Sequence, residues 1–300
     1  MSKNLFQKKG EGFYEELRIG THSKSFEIKN FINTKYEYNK EYLDADFPNR
    51  LRYEFESRLW ELTICDYLRT NNSIYLLSRA LYAVKNISFP DFCFIFDKKR
   101  FFIECVTVSS GSCKELSIPF KESLGIAHRS PREEYKERFC QAIDSKIIKY
   151  KEKYHKVMSE LDGFIIAVSS GKIGQHIHPN DPFLELSCLH GLSERMYNAI
   201  SGAILFIRSD KFNKKSNGSS STIKTDYFVN DQYSYLTAVL YSRNLAVCFS
   251  GSELDLYGIP SPSTEFILSH SPNSKNKLDN SVFPVQKEYR DILKDNIAFS

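Results

Sequence analysis

The sequence predicts an α/β protein. Between residues 50 and 168, runs of helical apolar spacing alternate with short aromatic and β-branched runs, the pattern of helices interleaved with strands. Hydrophobic residues make up 41% of the 300 and charged residues 26%, a globular composition. A chain of this length buries roughly three quarters of its unfolded surface, enough for two domains or for one elaborated α/β domain.

Residues 1–47 are polar, rich in Lys, Glu, Tyr and Asn and without a clear period. They are expected as an arm, either extended or made of short elements on the main body. After Pro48, residues Leu51, Phe55, Leu59, Leu62, Ile64, Tyr67 and Leu68 follow helical spacing, which predicts a helix over about 50–70 ending at Asn71-Asn72. Residues 74–87 are apolar and read as helix or strand. Pro90 breaks the chain. The runs 91–96 and 101–108, separated by Asp97-Lys98-Lys99-Arg100, predict a β-hairpin. Residues 109–131 read as a loop. A long helix is expected over 132–161, opened by Ser130-Pro131 and closed by Asp162-Gly163, followed by a buried strand at Phe164–Val168. Further on, 181–200 reads as helix, 203–207 as strand, 211–222 as loop, and 235–241 and 245–249 as strands. The tail from 259 is rich in Pro, Ser and Asn and reads as loop.

Several functional classes are excluded. The net charge is only +4, which rules out a binder of nucleic acid that works by bulk charge, although local distribution matters more than the sum. Seven cysteines without a Cys-x-x-Cys pair read as reduced, buried thiols of a cytoplasmic protein. No apolar stretch approaches the roughly 18 residues of a membrane span, and the first residues lack an apolar signal core. No membrane partner is expected. No Gly-x-Ser-x-Gly, phosphate-cradling glycine loop or His-Glu-x-x-His occurs.

Acidic residues stand at informative places. Glu56 and Glu61 lie on the first strong helix, about 140° apart around it, so that at most one points at any given site. Asp91 opens the hairpin after Pro90. Glu104 lies inside Phe-Phe-Ile-Glu-Cys-Val, where a carboxylate is costly to bury unless it is paired or binds a cation. Two carboxylates on adjacent strands form a hard-oxygen site suited to Mg²⁺ or Mn²⁺. Lys146, on the inward face of the next helix with Tyr150 four residues on, is the candidate cation beside them.

This order resembles the PD-(D/E)XK nuclease superfamily: a helix with Glu, then Pro-Asp opening a strand, then Glu-x-Lys on the next strand, then a helix. The matching residues are Glu56 or Glu61, Pro90-Asp91 and Glu104, over about 120 residues. Val106 stands where the family has its lysine; in parts of the superfamily that lysine moves to the following helix, and in others this helix carries Gln-x-x-x-Tyr. Lys146-Ile-Ile-Lys-Tyr150 resembles a merger of the two, with Gln141 on the same helix as a further candidate. The resemblance implies a restriction-endonuclease-like core at 48–170, a mixed central sheet flanked by helices, with 171–300 as an α/β extension packing on or continuing that sheet. It implies a Mg²⁺- or Mn²⁺-dependent nuclease acting on DNA rather than RNA. Asp91, Glu104 and the Cys105 backbone carbonyl would hold one metal, Glu56 a second metal or its water, and Lys146 would orient water or phosphate. Glu61, Tyr150 and Gln141 are secondary candidates. The alternative, motivated by Val106, is a catalytically inactive module of the same fold that binds nucleic acid or protein. A homodimer is compatible with either.

Two further clusters are candidates. From Lys121 to Lys156 ten Lys or Arg face six Asp or Glu, a local excess with aromatic residues interleaved. Arg138, Lys149 and Lys153 are candidate nucleic-acid contacts on it, the plain alternative being a solvated amphipathic helix. His176, His178, Cys188 and His190 offer zinc-ligating atoms within fifteen residues, though their spacing matches no known finger and scattered surface histidines are the favoured reading.

Overall fold

The computed structural model describes residues 4–83, 87–111, 132–174, 183–190, 192–197, 204–208, 211–216, 219–243 and 267–283. It is an α/β structure built on a six-stranded mixed open sheet. In chain order the elements are α1 (Gly12–Ile19), α2 (Ser23–Asn39), α3 (Phe47–Arg50), α4 (Phe55–Thr70), β1 (Tyr75–Leu77), α5 (Arg79–Tyr82), β2 (Phe92–Phe96), β3 (Lys99–Thr107), α6 (Arg132–Glu152) and β4 (Gly163–Ser169). They continue with α7 (Gly171–Gly174), α8 (Phe183–His190), β5 (Leu192–Tyr197), β6 (Ile204–Arg208), β7 (Lys211–Ser216), β8 (Ser219–Lys224), β9 (Leu236–Ser242) and β10 (Ile267–His270). The main sheet runs β1-β2-β3-β4-β9-β10. Its pairs are antiparallel except at the centre, where β3 with β4 and β4 with β9 run parallel. The last two strands of this sheet therefore come from the C-terminal region.

Strand sequence and sheet position agree. In β3, Phe101, Ile103 and Cys105 face the apolar layer that holds α1, α2 and α4, whereas Phe102 faces the layer that holds α6 and α8, the period-two alternation of a pleated strand. In β4 every residue is buried, and a central parallel strand covered on both faces reads as a continuous apolar run. The β2–β3 hairpin turns at Asp97 and Lys98, with φ of 46° and 61°, the left-handed pair of a tight two-residue turn. The four-residue polar turn expected there is thus shortened by two, because Lys99 already pairs with Phe96.

Gly163 starts β4 where a Cβ would come within 2.3 and 2.6 Å of the Phe101 ring and 3.0 Å of Thr237 Oγ1. Gly163→Ala is therefore expected to destabilise the fold by about 1–3 kcal/mol through overpacking. Urea titration checks this; an unchanged midpoint would show that the ring can yield.

Of the two forms expected for residues 1–47, the structure shows packed elements: Ile28, Ile32 and Tyr36 of α2 recur at helical spacing and pack in the first apolar layer. Elsewhere the structure departs from expectation. The helix over 50–70 is two helices interrupted at 51–54. The helix expected to reach 161 ends at Glu152 and passes into a 3₁₀ turn, Tyr154–Lys156. The helix expected over 181–200 stops at His190, and 192–197 is a strand paired with β6; a glycine follows His190 in the sequence, and glycine commonly ends helices. The expected loop 211–222 is a hairpin whose register runs Lys211 to Lys224, formed by a polar sequence with weak apolar alternation. The tail contributes β10, whose Leu268 pairs with Leu240. The strand expected at 245–249, nearly all of the loop 109–131, and His176 and His178 lie outside the described residues.

One buried polar group closes the α6–α8 layer. Glu185 is fully buried, accepts bonds from Arg243 Nε at 2.7 Å and Nη2 at 2.6 Å, and is bonded by the Tyr135 hydroxyl. A fully satisfied network of this kind ties α6, α8 and the end of β9 together.

Candidate active site

The site is a cleft of about 370 Å³ where α3, α4, α5, β3 and α6 meet. Glu61, Asp91, Glu104, Lys146 and Lys149 line it. These residues are spread over 88 positions of the sequence, and the sheet and its two helical layers bring them together.

Glu104 sits at the centre. It is 1% exposed and points into the α6 layer. Its Oε1 accepts from Lys146 Nζ at 2.8 Å and from Lys149 Nζ at 2.7 Å, and its Oε2 accepts from the Tyr154 hydroxyl at 2.7 Å. Burial opposes its ionisation, but the two ammonium groups outweigh burial and hold its carboxyl below the ordinary value. Burial likewise lowers the Lys146 ammonium, and Glu104 more than offsets it, so Lys146 stays charged. Burial and the neighbouring carboxylate together push the Tyr154 hydroxyl up, so it remains a donor.

Asp91 lies one residue before β2. Its Oδ2 accepts the Cys105 backbone N–H at 2.7 Å, and its own carbonyl accepts from the Tyr82 hydroxyl at 2.7 Å. Burial, then the Glu104 charge, push its carboxyl up to about 6, against the Cys105 amide and the two lysines, which lower it. Glu61, 5% exposed on α4, is raised well above its ordinary value by burial and by Asp91, with which it shares a side-chain hydrogen bond. Burial and the mutual repulsion of the two carboxyls thus favour protonation of this pair. Arg58 Nη1 also reaches Glu61 at 2.6 and 2.8 Å.

This raised carboxyl has a thermodynamic consequence. An acid whose folded value exceeds its unfolded value binds more protons when folded, so it lowers stability as pH rises between the two. For Asp91 that window runs from about 4 to about 6. Asp91→Asn is therefore expected to melt higher than the wild type above pH 6 and to lose that advantage below pH 4. Thermal melts at both ends check this, and an advantage independent of pH would contradict it.

Most of the predicted residues take definite places. Glu61, not Glu56, faces the cleft: the two differ by about 140° on α4, and Glu56 does not line it. Tyr150 is turned away and stacks on Tyr235, ring centroids 4.0 Å apart. Residues at i and i+3 of α6, Lys146 and Lys149, straddle Glu104, which puts the i+4 position on the flank facing β4. Lys149, expected as a surface contact to nucleic acid, is thus a Glu104 partner. Cys105 and Val106 line the cleft; the Cys105 thiol is buried and raised well above its ordinary value. Gln141 bonds Glu137 and Arg138 on the exposed side of α6 and does not line the cleft. Lys153 is exposed at the end of α6. Of the interleaved aromatics, Tyr135, Phe139 and Tyr154 are buried and cannot stack on bases. Cys188 is buried and carries a free thiol, and His190 packs edge-on to the Phe228 ring.

No family model, curated protein or solved structure matches this chain. Among the described residues no helix is long and apolar enough to cross a membrane.

Sequence reasoning missed two functional side chains. Tyr154 lies past the true end of α6, where helical periodicity no longer applies. Arg58 reads as an ordinary helix cation. Its one signal is Glu54 and Glu61, at i−4 and i+3, both of which it bonds.

Among the described residues no three His, Cys, Asp or Glu side chains stand together as a ready cage. Two carboxyls do stand together in the cleft, Glu61 and Asp91, both raised by burial and by their neighbours' negative charge. Hard oxygen donors of this kind suit Mg²⁺ or Mn²⁺, and a divalent charge would relieve their repulsion.

Proposed function

We propose that the chain is a metal-dependent nuclease with a restriction-endonuclease-like core that hydrolyses phosphodiester bonds, DNA being the favoured substrate. The observation that carries this reading is the gathering of Glu61, Asp91, Glu104, Lys146 and Lys149 around one cleft; the three acidic residues follow the order of the resemblance, and the lysines come from the following helix in place of Val106. Glu61 and Asp91 would hold Mg²⁺ or Mn²⁺, with the Cys105 carbonyl as a further oxygen. The cation would supply a water of lowered pKa and a Lewis-acid contact to the phosphate. Lys146 and Lys149 hold the non-bridging phosphate oxygens and stabilise the charge that grows on them. Glu104 keeps both ammonium groups aimed into the cleft, and Tyr154 fixes the rotamer of Glu104. Val106 in the usual lysine position is then compensated from α6, because two lysines arrive at the same carboxylate by another route.

Incubating the purified protein with labelled DNA and RNA in Mg²⁺ or Mn²⁺ tests this. Cleavage that EDTA abolishes is expected, with DNA preferred; no cleavage of either polymer overturns the reading. One observation favours the second reading, an inactive module that binds nucleic acid or protein. Both Glu104 oxygens are already engaged, and Arg58 Nη1 bonds both Glu61 oxygens, which leaves fewer carboxylate faces for a cation. Calorimetry with Mn²⁺ separates the two: stoichiometric binding abolished by Asp91→Asn supports the enzyme, and no binding supports the module.

A further inference from the structure

Two further cations line the cleft, and the proposed hydrolysis assigns them no task. Arg50 of α3 and Arg79 of α5 line the same cleft as Lys146 and Lys149. Arg50 bonds Glu54 through Nε at 3.2 Å and Nη2 at 3.0 Å. Among the described residues its Nη1 makes no hydrogen bond. Arg79 meets Asp44 through Nη2 at 2.9 Å and the Asp91 carbonyl through Nη1 at 3.4 Å. Its Nε likewise makes no hydrogen bond among the described residues. Each guanidinium is thus gripped on one edge and retains donors on another. Arg50 is 41% exposed and Arg79 28%, so both reach solvent from the cleft.

Three arguments give this pair a ligand. A guanidinium carries five N–H groups in a rigid fork matched to phosphate oxygens, and the two arginines use only part of theirs. A guanidinium already oriented by a carboxylate loses less freedom on binding than a mobile one. The cleft lining carries five cationic side chains against the carboxylates of Asp44, Glu61, Asp91 and Glu104, an excess that favours an anion. The cleft volume of about 370 Å³ lies near the small end of ligand sites, about 300–1,000 Å³, which suits a short stretch of one strand.

We propose that Arg50 and Arg79 form a second phosphate subsite, which holds the phosphate adjacent, along the same strand, to the one hydrolysed beside Lys146 and Lys149. The proposal rests on the nuclease reading of the cleft. A strand would then be gripped at two consecutive phosphates, one by each cationic pair.

The test uses a trinucleotide of deoxythymidine, which has two phosphates, with either one replaced by a neutral methylphosphonate. Binding is measured in EDTA for the full chain, for Arg50→Gln and for Lys149→Gln, with Arg50→Lys as a variant that keeps the charge. In the wild type each neutralisation is expected to weaken binding about tenfold, as loss of a hydrogen bond to a charged group does. One of the two losses should vanish in Arg50→Gln and the other in Lys149→Gln, and Arg50→Lys should restore part of the first. If Arg50→Gln changes both losses alike or neither, or if the trinucleotide does not bind, the subsite is wrong. Cleavage of a longer DNA in Mg²⁺ is followed in parallel. Cleavage without the coupling overturns the subsite alone; the coupling without cleavage overturns the nuclease reading and leaves the subsite standing.

Discussion

Glu104→Gln is expected to lower DNA cleavage by about 10²–10⁴-fold, the range in which removing a charged group from a reacting centre falls. The change keeps the shape of the side chain and the Tyr154 contact while removing the negative charge that draws Lys146 and Lys149 together. Two consequences separate this from simple unfolding. The variant should keep its circular dichroism spectrum, because amide and carboxylate have nearly equal volume. The apparent pKa of Asp91 should fall, because the Glu104 charge is the largest electrostatic contribution raising it after burial. A cleavage rate within a few fold of wild type would mean that Glu104 is a structural anchor for α6 and nothing more.

The second large effect is expected for Lys146→Ala combined with Lys149→Ala. Both ammonium groups bond the same oxygen of a carboxylate that is 1% exposed. With one lysine gone, the other still compensates Glu104, so each single variant should lose little stability. With both gone, the buried carboxylate has only the Tyr154 hydroxyl, and breaking a buried ion pair from one side costs about 3–5 kcal/mol. The double variant should therefore be destabilised by far more than the sum of the singles, the non-additivity expected of groups that share one partner. Urea titrations of the four proteins measure the interaction, and an additive double variant would contradict the shared-anchor geometry.

The legible parts of the fold were those that local physics decides. The β2–β3 hairpin, the strand at Phe164–Val168 and the helix beginning near residue 132 are each marked by residue type and period within a short window. The burial of Glu104 was legible too, because a carboxylate inside Phe-Phe-Ile-Glu-Cys-Val has to find partners. The choice of partner was less accessible. Lys146 stood out by its inward position, but Lys149 read as a surface cation, and only the angle between α6 and β3 decides that the carboxylate falls between i and i+3. That angle is a property of the packed sheet. The choice of Glu61 over Glu56 has the same origin: the helix fixes the 140° between them, and the contact of Trp60 with the Ala167 carbonyl, at 2.9 Å, locks which side of α4 meets the sheet. The polar hairpin at 211–224 carried little apolar alternation, so its pairing was hidden from any period-based reading.

In the proposed function, Glu61 and Asp91 form the cation-holding part of a hydrolytic centre built around Glu104. Crystals soaked in Mn²⁺ and recorded at the manganese absorption edge test it most directly. Cation binding by this pair predicts an anomalous peak within bonding distance of both the Glu61 and Asp91 carboxylates, lost in Asp91→Asn. A well-ordered cleft with no peak there, or a peak that survives Asp91→Asn, would contradict it.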